Sequence, residues 1–284
     1  MINYYLLTKP GIILGNLLTV AAGFILGLQG SFEFLLFFAT LIGLALIIAS
    51  ACVFNNHIDR KVDKKMDRTK NRALARGLIS SRNAILFAIV LMVLGFFILL
   101  TYTNVLTALI AGLGFLIYVV IYSLWKCHTI YATAIGSIAG AIPPVVGYCA
   151  ATGRFDLGAA ILFAMMVLWQ MPHFFSIAIF HFDDYAAASI PTFPGIRGIY
   201  ATKLRMVVYV IGFIITASLL TVFAYTGYVY LVAMMLVSIL WLIACLKGFK
   251  CDNDQNWARH TFRLSLIAIT AICLATSVEH FIAH

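Results

Sequence analysis

The fold class that this sequence predicts is an all-α integral membrane protein, with nine transmembrane helices in a bundle around a central cavity. Three observations carry the prediction. Of 284 residues, 63% are hydrophobic and 10% charged, where a soluble domain has roughly a quarter charged. Nine apolar stretches are each long enough to cross about 30 Å of hydrocarbon. Lys and Arg fall almost entirely on one side of those stretches. A water-soluble single core is excluded. The net charge of +9 is accounted for by basic loops on one membrane face, so no nucleic-acid partner is expected. Six scattered Cys without a CxxC pair, and no cleavage-site pattern in the first thirty residues, argue against a disulfide framework or a zinc site.

The spans are expected near 11–29, 35–56, 83–101, 105–124, 131–150, 157–180, 203–224, 228–247 and 262–282. The first follows Lys9-Pro10, and the second ends on the polar pair Asn55-Asn56. In the fifth, Gly136, Ser137 and Gly140 have the spacing of close helix contact, and Pro143-Pro144 predicts a kink. With the N-terminus in the cytoplasm, the loops after spans two, four, six and eight are cytoplasmic. They and the N-terminus then hold every Lys and Arg except Arg154. Nine spans place the C-terminal His284 outside. Outside connections are about four to seven residues, whereas the loops after spans two and six run to about twenty or more, as functional loops do. The chain reads as one domain over 1–284, with cytoplasmic catalytic loops at about 57–82 and 181–202. The two polar-ended spans lie four helices apart, which hints at internal duplication.

Polar groups recur at Asn55, Asp59, Asp63 and Asp67. If the helix continues past the membrane surface, the four form one slanted stripe. Like charges at this spacing repel, and a divalent cation with a diphosphate would compensate, since Mg²⁺ takes one or two carboxylates plus phosphate oxygens. The competing reading is a solvated surface in which Arg60 pairs with Asp63 and Lys64 with Asp67. Location favours the ligand: the stripe begins at the mouth of a span, and Arg68-Thr69-Lys70-Asn71-Arg72 follows, with cations for phosphate. The second long loop carries His173, His181, Asp183, Asp184 and Tyr185. Its adjacent acids are either ordinary surface residues or, facing the first stripe, a second metal position.

Asn55-x3-Asp59-x3-Asp63 resembles the first aspartate-rich motif of the UbiA-type intramembrane prenyltransferases, and Asp183-Asp184 falls where their second motif is expected. Within that superfamily the chain is similar to the haem-farnesylating branch. The supporting strings are Thr8-Lys9-Pro10-Gly11, Cys52 to Asn56, Asp67 to Arg72, Tyr118 to Ser123, Gly140 to Pro144, Trp169 to His173, and Asp184-Tyr185 through Ile190-Pro191. One departure is that Asp183-Asp184 is followed by Tyr, in place of the DxxxD spacing of quinone-type relatives. Asp184 is the favoured ligand because it begins the Asp-Tyr-x-x-Ala string.

The resemblance implies transfer of a farnesyl group from farnesyl diphosphate to the vinyl group of haem b, with addition of water, yielding haem O and diphosphate in a bacterial inner membrane. Mg²⁺ is the implied cofactor, with Asp59, Asp63, Asp183 and Asp184 as ligands. Asn55, Arg68, Lys70 and Arg72 join these acids in the catalytic set, and Tyr118, Tyr122, Trp169, His173 and Lys126 in the substrate-binding set. Ionising an allylic diphosphate calls for cations at one end and aromatic faces at the other. Tyr118, Tyr122 and Trp169 fit the second role, or else pack the bundle. His173 would ligate haem iron or hold a propionate, with His57 as its competitor. The resemblance leaves room for association with a haem A synthase or a terminal oxidase assembly. The rival readings are a prenyltransferase with a quinone or chlorophyll-precursor acceptor, and a secondary transporter. Transporter sites lie near the midplane, whereas these acids cluster at one surface.

Overall fold

A computed structural model describes residues 2–28 and 30–283, with side chains through residue 279. Among the described residues, nine helices are long and apolar enough to cross a membrane. A short helix, α1 (Ile2–Leu7), leads into α2 (Pro10–Gly27) and α3 (Phe34–Asp59). The third and fourth spans are α4 (Ser81–Tyr102) and α5 (Val105–Leu116), the latter prolonged by a π-helical segment, Ile117–Tyr122, and one α turn, α6 (Ser123–Trp125). The fifth span is broken at Ala141 into α7 (Ala132–Gly140) and α8 (Ile142–Thr152). Pro143 and Pro144 lie in the first turn of α8, where their missing N–H groups cost nothing. Then come α9 (Leu157–Phe180), the short helices α10 (Phe182–Ala187) and α11 (Phe193–Arg197), and the long α12 (Ile199–Val222), α13 (Tyr228–Lys247) and α14 (Asp254–Ala283). His284, expected outside, lies beyond the described residues.

The spans match the apolar stretches, with one instructive exception. The last helix begins at Asp254, eight residues before the apolar run, because a charged helix continues past the hydrocarbon. Lys203, counted as a loop cation, is buried there: its amine donates to the Gly248 carbonyl (2.6 Å), pairs with Asp254, and lies 5.1 Å from the Trp257 ring. It ties α12, α13 and α14 together at one end.

Sorting of side chains follows membrane rules. On α4, Leu86, Ile89, Val93, Phe97 and Leu100 are exposed, while Ala84, Ala88, Gly95 and Leu99 are buried. With hydrocarbon outside, large residues face lipid and small ones let backbones approach. The tightest approach is between α2 and α8. A Cβ on Gly23 would sit 2.0 Å from the Pro144 carbonyl oxygen, and one on Gly147 would sit 2.1 Å from that of Val20. Gly140, anticipated as a contact residue, faces the Gln170 amide in the same way, 2.2 Å from a Cβ.

Gly147→Val should therefore push α2 from α8 and destabilise the bundle by about 1–3 kcal/mol or more, the cost of overpacking. Gly112→Ala, whose Cβ would meet Phe96 at an ordinary 3.5 Å, should be neutral. Thermal unfolding of the two variants in one detergent checks the contrast.

Candidate active site

The bundle encloses a cavity of about 730 Å³, apolar along the helices and charged at one end. Its wall includes Asn55, Asp59, Asp63, Arg68, Arg72, Tyr118, Tyr122, Lys126, Trp169 and His173. These residues, separated by up to 118 positions in sequence, converge because the ends of α3, α6 and α9 and the loop after α3 meet at one face.

The path of the acids differs from a continued helix. α3 stops at Asp59, a turn follows, and a 3₁₀ turn covers Asp63–Lys65. Asp59 and Asp63 stay buried, at 6% and 4% exposure, but Asp67 swings out to pair with Lys70. The expected stripe thus ends at Asp63. The anticipated Arg60–Asp63 and Lys64–Asp67 pairs are absent among the described residues. Asp63 instead takes both oxygens to Arg72 Nη1 at 3.0 Å, and the Thr69 hydroxyl donates to the Asp63 carbonyl at 3.0 Å, folding the loop back over α3. Asp59 pairs with Lys126. Arg68 lines the cavity and makes no side-chain hydrogen bond among the described residues, which leaves it open to an anion.

Asn55 is the hub between segments. Its Oδ1 accepts from Lys9 Nζ (2.6 Å), its Nδ2 donates to Ser123 Oγ (3.0 Å), and Ser123 donates to the Tyr118 carbonyl (2.8 Å). That last contact caps a carbonyl in the widened π segment, of the kind that marks functional helices. The segment stacks Tyr118 on Tyr122 (5.4 Å, 22°), and the Lys126 ammonium lies 5.4 Å from the Tyr122 ring centre. One aromatic face at the charged end therefore already accepts a cation.

Lys9 is the site residue that sequence reasoning missed. Its string resembled the family, but a lysine before an apolar span reads as a topology signal. The structure holds it at φ 53°, ψ 66°, a left-handed conformation costing about 1–2 kcal/mol for a residue with a Cβ. Such strain persists where the surroundings enforce it. Burial, with Arg72 and Lys126 adding to it, lowers the Lys9 amine to about 8.

The second loop arrives differently from expectation. α9 ends at Phe180, so the continuous helix that would carry His173 to Asp184 is interrupted at His181. In α10 the acids stand off the cavity wall: Asp183 accepts from Gln255 Nε2 (2.9 Å), and Asp184 lies 3.3 Å from His181 Nδ1. Tyr185 turns inward onto the wall. The two loops nevertheless face each other across the mouth. Burial and then the Arg68 guanidinium hold the His181 imidazole below its ordinary range. The Lys70 ammonium, raised first by Asp67, is raised further by Asp184. Lys70 itself is exposed and off the wall, as is His57.

Among the described residues no three His, Cys, Asp or Glu groups gather as a self-sufficient metal site. The wall offers two buried carboxylates, an all-oxygen set that suits Mg²⁺ when phosphate oxygens complete its shell.

Comparison with known proteins bears on this arrangement. The profile of the UbiA prenyltransferase family matches residues 16–267. The chain is 57% identical over 275 residues to the protoheme IX farnesyltransferase of Protochlamydia amoebophila (strain UWE25), covering 96% of this chain and 97% of that protein. Its fold is similar to a solved structure of digeranylgeranylglyceryl phosphate synthase (TM-score 0.81, 18% identity, 98% of this chain and 97% of that one). It is also similar to a UbiA homologue from Archaeoglobus fulgidus bound to GPP and Mg²⁺ (TM-score 0.70, 17% identity, 97% and 99%).

Since Lys9 is a cation below about pH 8 and neutral above it, its attraction for an anion in the cavity should fade as pH rises through that value. Calorimetric titration with inorganic diphosphate between pH 7 and 9 should show affinity falling, and Lys9→Gln should be weaker at pH 7 with a flatter profile.

Proposed function

The chain belongs to the UbiA prenyltransferase family, and from that premise we propose that it transfers a farnesyl group from farnesyl diphosphate to a vinyl group of haem b, with addition of water, giving haem O and diphosphate. The observation that carries the acceptor is the 57% identity, over nearly the whole of both chains, to a protoheme IX farnesyltransferase. The single cavity, cationic at its mouth and apolar within, supports it physically, because both substrates pair an anionic headgroup with a large apolar body.

In this reading Asp59 and Asp63 hold Mg²⁺, with Asp184 reaching the site from the facing loop and Asp183 beside it. The metal, when bound, neutralises charge on the departing diphosphate. Arg68, Arg72 and Lys126 contact the remaining phosphate oxygens, and Lys9 adds a fourth cation from the N-terminal side. Lys70, at the rim, draws the headgroup toward the mouth. Asn55 holds Lys9 and the π segment in place. As the C–O bond of the allylic diphosphate breaks, negative charge grows against these cations and positive charge grows on the prenyl carbon. The stacked faces of Tyr118 and Tyr122 shield that carbon, while Trp169 and the apolar wall exclude bulk water from the chain. The vinyl carbon supplies the electrons of the new C–C bond, and water adds to the adjacent carbon, releasing a proton. His173 lies deeper, on the haem side. The charged mouth opens to the cytoplasm of a bacterial inner membrane, and the product, still apolar, passes to a membrane partner such as a haem A synthase or a terminal oxidase assembly.

Purified protein given haem b, farnesyl diphosphate and Mg²⁺ should yield haem with the mass of one farnesyl group plus water, and chelation should stop it. A farnesylated quinone precursor with unmodified haem would replace the acceptor assignment. Asp63→Asn should lower turnover by about 100-fold or more, the scale on which electrostatic stabilisers act, while haem b still titrates onto the protein. Arg68→Gln, which breaks no protein contact, should raise KM for farnesyl diphosphate without lowering thermal stability.

A further inference from the structure

His173 is held by α14 more firmly than a packing histidine requires. Its ring stacks on Trp169 (4.8 Å, 22°) and leans on Phe262 (4.9 Å, 35°), so both faces are occupied by aromatics. Its Nδ1 lies 2.7 Å from Ser265 Oγ. The Trp169 indole N–H donates to the carbonyl of the same Ser265 (3.0 Å), so one residue, more than ninety positions away in sequence, indexes both rings.

The proton inventory at Ser265 fixes the imidazole. A serine hydroxyl carries one proton, and this one is given to the Phe262 carbonyl at 2.6 Å, a group that can only accept. Toward His173 the Ser265 oxygen is therefore an acceptor, Nδ1 carries the N–H, and Nε2 is left with its lone pair. Among the described residues Nε2 has no hydrogen-bond partner, and His173 lines the cavity. An imidazole with a bare lone pair facing an apolar cavity suits a Lewis acid. It is mismatched to a propionate, which likewise has only lone pairs to offer.

We propose that Ser265 is a positioning residue which locks His173 in the Nδ1–H tautomer and presents Nε2 to the iron of the haem substrate. The inference rests on the haem reading above. The step is formation of a dative Fe–N bond without proton transfer, since the proton stays on Nδ1 and is held by Ser265. Hydrogen bonding at the far nitrogen orients a metal-bound histidine and raises its basicity, and removal of such partners costs about 10–100-fold in metal affinity.

The test is titration of haem b into the full-length protein in detergent, followed by resonance Raman of the ferrous complex and by KM for each substrate. Wild type and Ser265→Thr should share an iron–histidine stretch. Ser265→Ala should shift or broaden it and raise Kd for haem about 10–100-fold, with KM for farnesyl diphosphate within twofold. His173→Ala should lose the band. Ser265→Ala with wild-type band and affinity overturns the proposal. So does equal loss in Ser265→Ala and Ser265→Thr with lowered thermal stability, which would make Ser265 a packing residue, and so does a persistent iron–histidine band in His173→Ala. If wild type neither binds nor modifies haem b, the acceptor assignment itself fails, a result separable from any of these.

Discussion

Carboxylates at the end of a membrane helix are tolerated only with cations beside them, because an isolated charge taken from water into an apolar surround is penalised by several kcal/mol. Asp59 and Asp63 impose that requirement here, and meeting it organises the charged end of the molecule. Lys126 comes from the far end of the fourth span, Arg72 from a loop that must fold back on itself to reach, and Lys9 from before the first span. The loop after α3 is ordered by its ion pair and by Thr69. The π segment is tied to the same hub through Ser123. The cavity is less a gap between helices than the space these pairings keep open.

The same arrangement explains why the acids are already partnered before any ligand arrives. A diphosphate bringing Mg²⁺ exchanges one set of counter-charges for another: the metal takes the carboxylates, and the released cations take the phosphate. The total charge in the cavity changes little, which limits the desolvation penalty of binding.

The sequence was most legible where chemistry recurs locally. Hydropathy located all nine spans, since every backbone group in hydrocarbon must be satisfied within a helix. Spacing singled out Asn55, Asp59 and Asp63. It failed at Asp67, because the side-chain register of a continuing helix cannot reveal that the helix stops at Asp59, and at Asp183 and Asp184, because a one-residue interruption at His181 turns Tyr185 inward in their place. Lys9 was disguised by its resemblance to an ordinary topology signal. Ser265 carried no signal at all, sitting in the part of the chain with the weakest resemblance and acting through a partner 92 positions away. Contacts of that range belong to the tertiary fold.

The π segment has a further consequence for how the chain tolerates length changes. A π turn holds one residue more than the α turn it replaces, so deleting any single residue between Ile117 and Tyr122 would restore a regular helix without exposing backbone or altering hydropathy. It would also rotate everything after it by about 100°. Lys126 would then point away from Asp59, and Ser123 away from Asn55, leaving a fully inserted, well-packed helix in the wrong phase. Membrane integration and catalytic competence are thus separable at this one position, and the length of the fourth span is set by the phase of its last turn as well as by the thickness of the bilayer.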